Sequence, residues 1–188
     1  AYMRGIELPR ACGLAPTVDS VSSLFISRWD VAVKDMVPPE LRNRLGIAIA
    51  KRTYKAYRDL LASPRWRKLA GAGARPQRLL WASTGTKDAD ASDTLYIAGL
   101  AAPNTVNTMP EKTLLAVADH GRLSETLPRD GGDADAVLTA FAKAGVGIAA
   151  LAARRQSHGA RRFCHSRAEP PTPPHAPGPV LPSARRPP

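Results

Sequence analysis

The 188-residue sequence holds only two cysteines, Cys12 and Cys164. They are too few and too far apart to form the disulfide framework that holds small secreted domains together. No apolar run approaches the roughly 20 residues needed to span a bilayer, and the N-terminal AYMRGIELPRACG lacks the basic, apolar and small-residue order of a signal peptide. Neither a GxGxxG nor a Walker-type loop occurs, so a nucleotide-binding open sheet has no positive support. These absences predict a soluble, cytoplasmic protein in a reducing compartment, with no membrane partner. An initiator Met is also missing, and the first residues read as part of a helix, which predicts a chain beginning mid-domain. His158, Cys164 and His165 lie close in sequence, but no second cysteine stands at ligand spacing, so no metal is expected.

Acidic residues are also scarce, 16 against 27 Lys and Arg, for a formal net charge of +11. The imbalance is uneven. Residues 1–150 carry 20 basic and 15 acidic side chains, whereas residues 151–188 carry seven Arg and one acid, Glu169. Nine of the 18 prolines also fall in that last fifth. Proline removes a backbone donor and fixes φ, so the Arg/Pro-rich tail 151–188 is expected to be disordered, and polyproline-like from 166 on. A polyproline ligand is one reading of the tail. An unselected tail, as from a shifted reading frame in a GC-rich gene, fits seven Arg without Lys better. A binder of nucleic acid through this tail is a further reading. It predicts strongly salt-dependent affinity that vanishes when 151–188 are removed.

What is present is enough apolar residue, 44%, to bury one core. Ala1–Cys12 reads as the end of a helix with Tyr2, Ile6 and Leu8 inward and Pro9 awkward within it. Val21, Leu24, Phe25 and Ile26 fit a buried strand that ends in Ser27-Arg28. Leu41–Ala62 has apolar residues at spacings of three and four, with Leu45, Ala48, Ala56, Tyr57 and Leu60 inward and a basic outer face that no aromatic residues interleave. Ser63 caps a second helix with Pro64 at its first position and Gly71 at its end. Leu79–Ser83 reads as a buried strand. Ser92–Leu100 reads as a short helix and Thr105–Thr108 as a β-rich run. Thr108 and Glu111 form a capping box opening the helix Pro110–His120. A last helix runs Asp133–Lys143. Alternating helices and strands predict an α/β layer architecture with parallel strands.

The chemistry-bearing stretch is Arg75–Pro110. Leu79-Leu80-Trp81 empties into Ser83-Thr84-Gly85-Thr86-Lys87-Asp88, a loop that offers backbone donors and a cation to an anionic ligand. Arg28, at the end of the earlier strand, presents a planar fork of donors to a phosphate or pairs with Asp30; the residues alone leave both open.

The run SVSSLFISRWD, a following helix, PRW, and then RPQRLLWASTGTKDADASDTLYIAGLAAPNTVNTMPEKTLLAVADHG together resemble transaldolase, the longer bacterial form in particular. The resemblance covers roughly residues 1–150. It implies the C-terminal part of a TIM (β/α)₈ barrel, about three parallel strands with their helices and incomplete as a barrel. It also implies transfer of a dihydroxyacetone unit between sugar phosphates of the pentose phosphate pathway through a lysine Schiff base, with no cofactor. The implied substrates are sedoheptulose 7-phosphate, fructose 6-phosphate, glyceraldehyde 3-phosphate and erythrose 4-phosphate. The family's Schiff-base lysine lies in an earlier motif resembling IKIPAT, which this sequence lacks, so the chain is expected to be inactive alone and no catalytic residue is assigned. Lys87, between Gly85 and Asp88, has neither the burial nor the neighbouring cation that such a lysine needs.

What the resemblance carries over is phosphate binding. The family's Ser-x-Phe-x-x-Arg is matched by Ser23, Phe25 and Arg28, with Arg28 as clamp and the Ser23 hydroxyl as second donor. Ser83 aligns on the next strand and Lys87 stands as a second cation. Asn107 and Thr108 face the same rim without an assigned role. Three departures stand out: Pro9 within a helix, Gly46-Ile47 where Gly-Lys is expected, and RRQSHGARRFCHSR in place of a closing helix. A non-catalytic sugar-phosphate-binding protein is the alternative reading.

Overall fold

The protein is described here from a computed structural model, which describes residues 1–13, 15–123 and 126–168, with backbone alone for Pro9, Arg10, His158 and residues 160–168. Two compact units divide at Ile148. The first carries a parallel sheet of three strands in the order β1 (Val21–Phe25), β2 (Arg78–Ala82), β3 (Thr105–Asn107). Ser23 is in register with Leu80, Phe25 with Ala82, and Leu80 with Val106. The helices of this unit are α1 (Tyr2–Ala11), α2 (Ser27–Val33), α3 (Leu45–Ala62), α4 (Pro64–Gly71), α5 (Leu95–Leu100), α6 (Glu111–His120) and α7 (Ala134–Lys143). This is the α/β arrangement expected for part of a (β/α)₈ barrel.

Side chains alternate across a strand, so each strand presents one set to either face. Leu79 and Trp81 of β2 join Ile26, Tyr54, Tyr57, Tyr96 and Leu100 in the core beneath α3 and α5. Trp81 is fully enclosed. On the opposite face Val21 and Phe25 remain 43% and 42% exposed. β1 is therefore not the buried strand that its apolar content predicts: only Leu24 and the following Ile26 face the covered side.

The long helix starts at Leu45, not Leu41. Pro39–Leu41 form a 3₁₀ turn, and Asn43 takes a left-handed φ of 60° that separates it from α3. Tyr54 is buried on α3, whereas Ala56 and Leu60, expected inward, are exposed and border a hollow of about 380 Å³ with Tyr2, Trp66 and Leu79. α7 packs along α3 and buries Val137, Leu138 and Phe141. The Ser63 cap holds as expected, accepting from Trp66 N at 3.2 Å. α1 and α4 share a small core of Ile6, Trp66, Leu69 and Ala74, but Leu8 points outward at 71% exposure.

Two further expectations give way. The capping box does not form: α6 has Pro110 at its N-cap with no side-chain bond, because the Thr108 hydroxyl donates instead to Trp81 O at 3.2 Å. The second unit holds α8 (Ile148–Ala168), so residues 151–168 are helical where an irregular tail was expected. The rest of the expected polyproline segment, 169–188, and the side chains of His158, Cys164 and His165 lie outside the described residues. No single helix among the described residues is long and apolar enough to cross a membrane.

Candidate functional site

Parallel strands deliver their loops to one end of the sheet, and the candidate residues gather there. β1 stops at Phe25, and the chain then turns directly into α2. Ile26, fully buried, anchors the turn by donating its N–H to Ala82 O at 2.9 Å. Ser27 follows, 1% exposed. Its N–H donates to Ser83 O at 3.1 Å, and its hydroxyl lies 2.8 Å from the Ser83 hydroxyl. Arg28 comes next, in the first turn of α2 and not on a strand. Its guanidinium stacks 4.0 Å from the centroid of the Phe25 ring. A cation over an exposed aromatic face gains roughly 0.5–1 kcal/mol, enough to bias where the fork points. Phe25 thus serves as a platform for Arg28. Ser23, two residues before Phe25, lies exposed on the same strand face.

Ser83 leaves β2 with φ +56°. A left-handed residue other than glycine costs about 1–2 kcal/mol, and the double contact to Ser27 offsets it. The next residue, Thr84, is fully buried. Its hydroxyl is shared between Asn107 Oδ1 and Thr108 O, both at 2.8 Å, which ties the β2 loop to the end of β3. Thr108 N donates to Trp81 O at 2.9 Å. Gly85 seats against the same loop, since a Cβ there would sit 2.9 Å from Pro110 Cγ. The Ser-Thr-Gly run is therefore a brace across three strand ends as well as a source of donors.

Asp30 has a different role from the surface ion pair that its spacing from Arg28 suggests. It is 5% exposed and accepts from Leu45 N at 2.9 Å, from Gly46 N at 3.2 Å and from the Tyr96 hydroxyl at 2.8 Å. It thus caps α3 from another element, satisfying amides that Arg44 at the N-cap leaves without a side-chain partner. Burial pushes the Asp30 carboxyl above its ordinary value, against the lowering effect of those donors. Burial first, and then the Asp30 charge, raise the Tyr96 phenol in turn. Gly46 is where a Cβ would meet Asp30 Oδ2 at 2.5 Å and Ile26 O at 2.9 Å.

Lys87 is exposed and borders two hollows, neither of which Arg28 lines. One, of about 420 Å³, is lined with Thr86, Asp88, Asp93 and Lys112. The other, of about 20 Å³, lies among Asp30, Lys34, Asn43, Asp88 and Tyr96. Asn43 donates to Asp88 at 2.7 Å, and that bond, with Lys34 at 3.6 Å, holds the Asp88 carboxyl below its ordinary value. Ser27 thus joins Ser83 to the start of α2, and Arg28 stacks on Phe25. Ser23 and Lys87 take no part in these contacts, although Lys87 borders a hollow with Asp30 and Val31 of α2. The sequence assigns no role to Ser27, Thr84 or Tyr96 and offers Asp30 only as a partner for Arg28. Ser27 sits in a serine-rich run that marks no one hydroxyl as special, and Asp30 and Tyr96 are 66 residues apart.

The comparisons agree with this architecture. A family model described as Transaldolase/Fructose-6-phosphate aldolase matches residues 6–169, extending past residue 150, where the resemblance was expected to stop. The chain is 43% identical over 172 residues to a transaldolase of Parafrankia sp. (strain EAN1pec), covering 87% of this chain and 47% of that protein. It is 42% identical over 173 residues to one of Mycobacterium tuberculosis (strain ATCC 25618 / H37Rv), covering 87% and 46%. Against one of Thermobifida fusca (strain YX) it is 41% identical over 175 residues, covering 88% and 48%. The chain spans about half the length of these relatives. With the family model covering most of its residues, the chain belongs to the transaldolase/fructose-6-phosphate aldolase family.

Proposed function

We propose that this chain forms the phosphate-holding side of a transaldolase, a cytoplasmic transferase of the pentose phosphate pathway. Fructose 6-phosphate and sedoheptulose 7-phosphate are the donors, and glyceraldehyde 3-phosphate and erythrose 4-phosphate the acceptors. A lysine amine condenses with the donor's carbonyl and loses water. The iminium accepts the electron pair as the carbon–carbon bond breaks, releasing an aldose phosphate. The bound dihydroxyacetone enamine then attacks the acceptor aldehyde, and water frees the lysine. That lysine lies on a barrel strand outside this sequence, so the chain alone does not turn over. Lys87, exposed on its loop, acts as a cation and not as the nucleophile.

The observation that carries the reading is the joint between the first two strand ends, where Ser27 meets Ser83 at 2.8 Å and Arg28 follows at once. Arg28 clamps the phosphate, the Ser23 and Ser83 hydroxyls donate to it, Phe25 orients the clamp, and Lys87 adds a second cation at the rim. The test is calorimetric titration of the full chain with fructose 6-phosphate, followed by borohydride reduction of the mixture. Saturable binding, lost in Arg28→Ala, with no covalent adduct, is the expected result. A reduced adduct on this chain places the nucleophile here and overturns the assignment, and absence of binding removes the phosphate reading. Binding that never becomes turnover when the remaining strands are supplied favours the non-catalytic alternative.

A further inference from the structure

We infer that Ser27 is a positioning residue for sugar-phosphate binding: its buried hydroxyl donates to Ser83 and leaves the Ser83 proton directed at the ligand. The inference rests on the reading above for its ligand, but its geometry stands separately. Ser27 is 1% exposed, so its hydroxyl has no bulk water to donate to, and the Ser83 hydroxyl, 2.8 Å away, is its side-chain partner. A buried hydroxyl gives its proton to an available acceptor. Ser83 is half-buried, more open to solvent than Ser27, so its own proton is the one free to leave the pair. A chain of two hydroxyls aimed the same way strengthens each bond along it, and the terminal donor faces the side where an anion would bind.

The same residue also fixes the backbone. Ser27 N–H holds Ser83 O at 3.1 Å, and Ser83 adopts its left-handed φ of +56° between these two contacts. Ser27 therefore sets both the direction of the Ser83 hydroxyl and the conformation that presents it. It is one residue from Arg28, so the two proposed phosphate contacts, one at the start of α2 and one just after β2, are tied through a single residue.

The test is a double-mutant cycle in the full chain with Ser27→Ala and Ser83→Gly, read by calorimetric titration of fructose 6-phosphate and separately by urea unfolding. Ser27→Ala weakens binding about tenfold, the scale of one charge-assisted hydrogen bond. Ser83→Gly lacks the donor and needs no support at positive φ, so adding Ser27→Ala to it brings no further loss. Ser27→Thr, which keeps the hydroxyl, holds affinity within about threefold of the parent. Losses that multiply in the double variant, or a Ser27→Ala chain that binds like the parent, overturn the inference. If the parent fails to bind, the preceding reading fails. The cycle is then decided by the urea midpoint, which Ser27→Ala lowers in the parent but not beside Gly at position 83; equal shifts in both overturn the coupling.

Discussion

The Tyr96 hydroxyl donates to Asp30 Oδ2 at 2.8 Å, and both residues are buried. Asp30, two residues after Arg28 on α2, is thereby fastened to α5 and, through its bonds from the amides of Leu45 and Gly46, to the start of α3. The rim's geometry depends on this carboxylate although it touches no proposed ligand.

Asp30 gives an unusual pH dependence. Its carboxyl is raised above the ordinary 3.8 because burial penalises the charge more than the donors repay. The native state then holds this proton more tightly than the unfolded chain. Stability from this group is largest below the ordinary value and falls as pH rises through the raised one, the reverse of a salt-bridged carboxylate. Asp30→Asn removes that slope, so parent and variant urea midpoints should diverge progressively from acid toward neutral pH, with the parent declining relative to the variant. Asp30→Ala, which strips three donors of their acceptor, should cost about 2–4 kcal/mol at any pH. Parallel midpoint curves for parent and Asp30→Asn would show that Asp30 ionises freely in the fold.

Gly46 and Gly5 make a matched pair. A methyl at Gly46 meets Asp30 Oδ2 at 2.5 Å and the carbonyl of Ile26 at 2.9 Å, and backbone cannot yield cheaply, whereas one at Gly5 meets nothing within 4 Å. Gly46→Ala should destabilise by about 2–3 kcal/mol. Gly5→Ala, inside α1, should stabilise by about 0.5–1 kcal/mol through helix propensity. Chemical denaturation of both variants checks the sign, and a neutral Gly46→Ala would mean that α3 can slide off its cap.

Arg28 and Phe25 should separate in magnitude. Arg28→Ala removes the charged fork and should weaken fructose 6-phosphate binding by tenfold or more, on the order of 1.5–3 kcal/mol. Arg28→Lys keeps the charge but not the two-point geometry and should fall between. Phe25→Ala removes the ring beneath the guanidinium, an exposed contact of about 0.5–1 kcal/mol, and should cost only a few-fold. Calorimetry with inorganic phosphate alongside the sugar tells clamp from sugar contacts. Equal losses for Phe25→Ala and Arg28→Ala would make the ring a direct contact.

Much of this was legible from residue order. The loop after Trp81 is where the apolar run Leu79-Leu80-Trp81 gives way to small polar residues and Gly85, a composition that favours turns. Ser63-Pro64 marks a helix start by capping chemistry alone. The strand faces were not legible. Val21 and Phe25 are apolar, which predicts burial, but which side of a strand is covered depends on its neighbours, and here the helices cover the side of Leu24 and Ile26. Thr108 shows the same limit: it has the spacing of a capping residue, and a strand carbonyl 27 residues away takes its hydroxyl. Ser27, Asp30 and Tyr96 carry no spacing signal that links them in sequence, and only the folded contacts give them work.

The uncovered sheet face yields the last prediction. Val21 and Phe25 stand 43% and 42% exposed on it, and on α6 Leu114 and Leu115 are 54% and 62% exposed. Thr113 is the one buried residue of that helix. A helix with this little burial is held weakly, because helical stability in water comes mainly from packing an apolar face. The outer edges of β1 and β3, with no neighbour among the described strands, add unpaired backbone donors and acceptors. The isolated chain should therefore bind a hydrophobic dye such as ANS, aggregate with rising concentration, and unfold with low cooperativity. Val21→Thr and Leu115→Lys should reduce dye binding and aggregation without lowering the urea midpoint by more than about 0.5 kcal/mol equivalent. A single sharp melt, with no dye bound and no dependence on protein concentration, would mean that these surfaces are content in water.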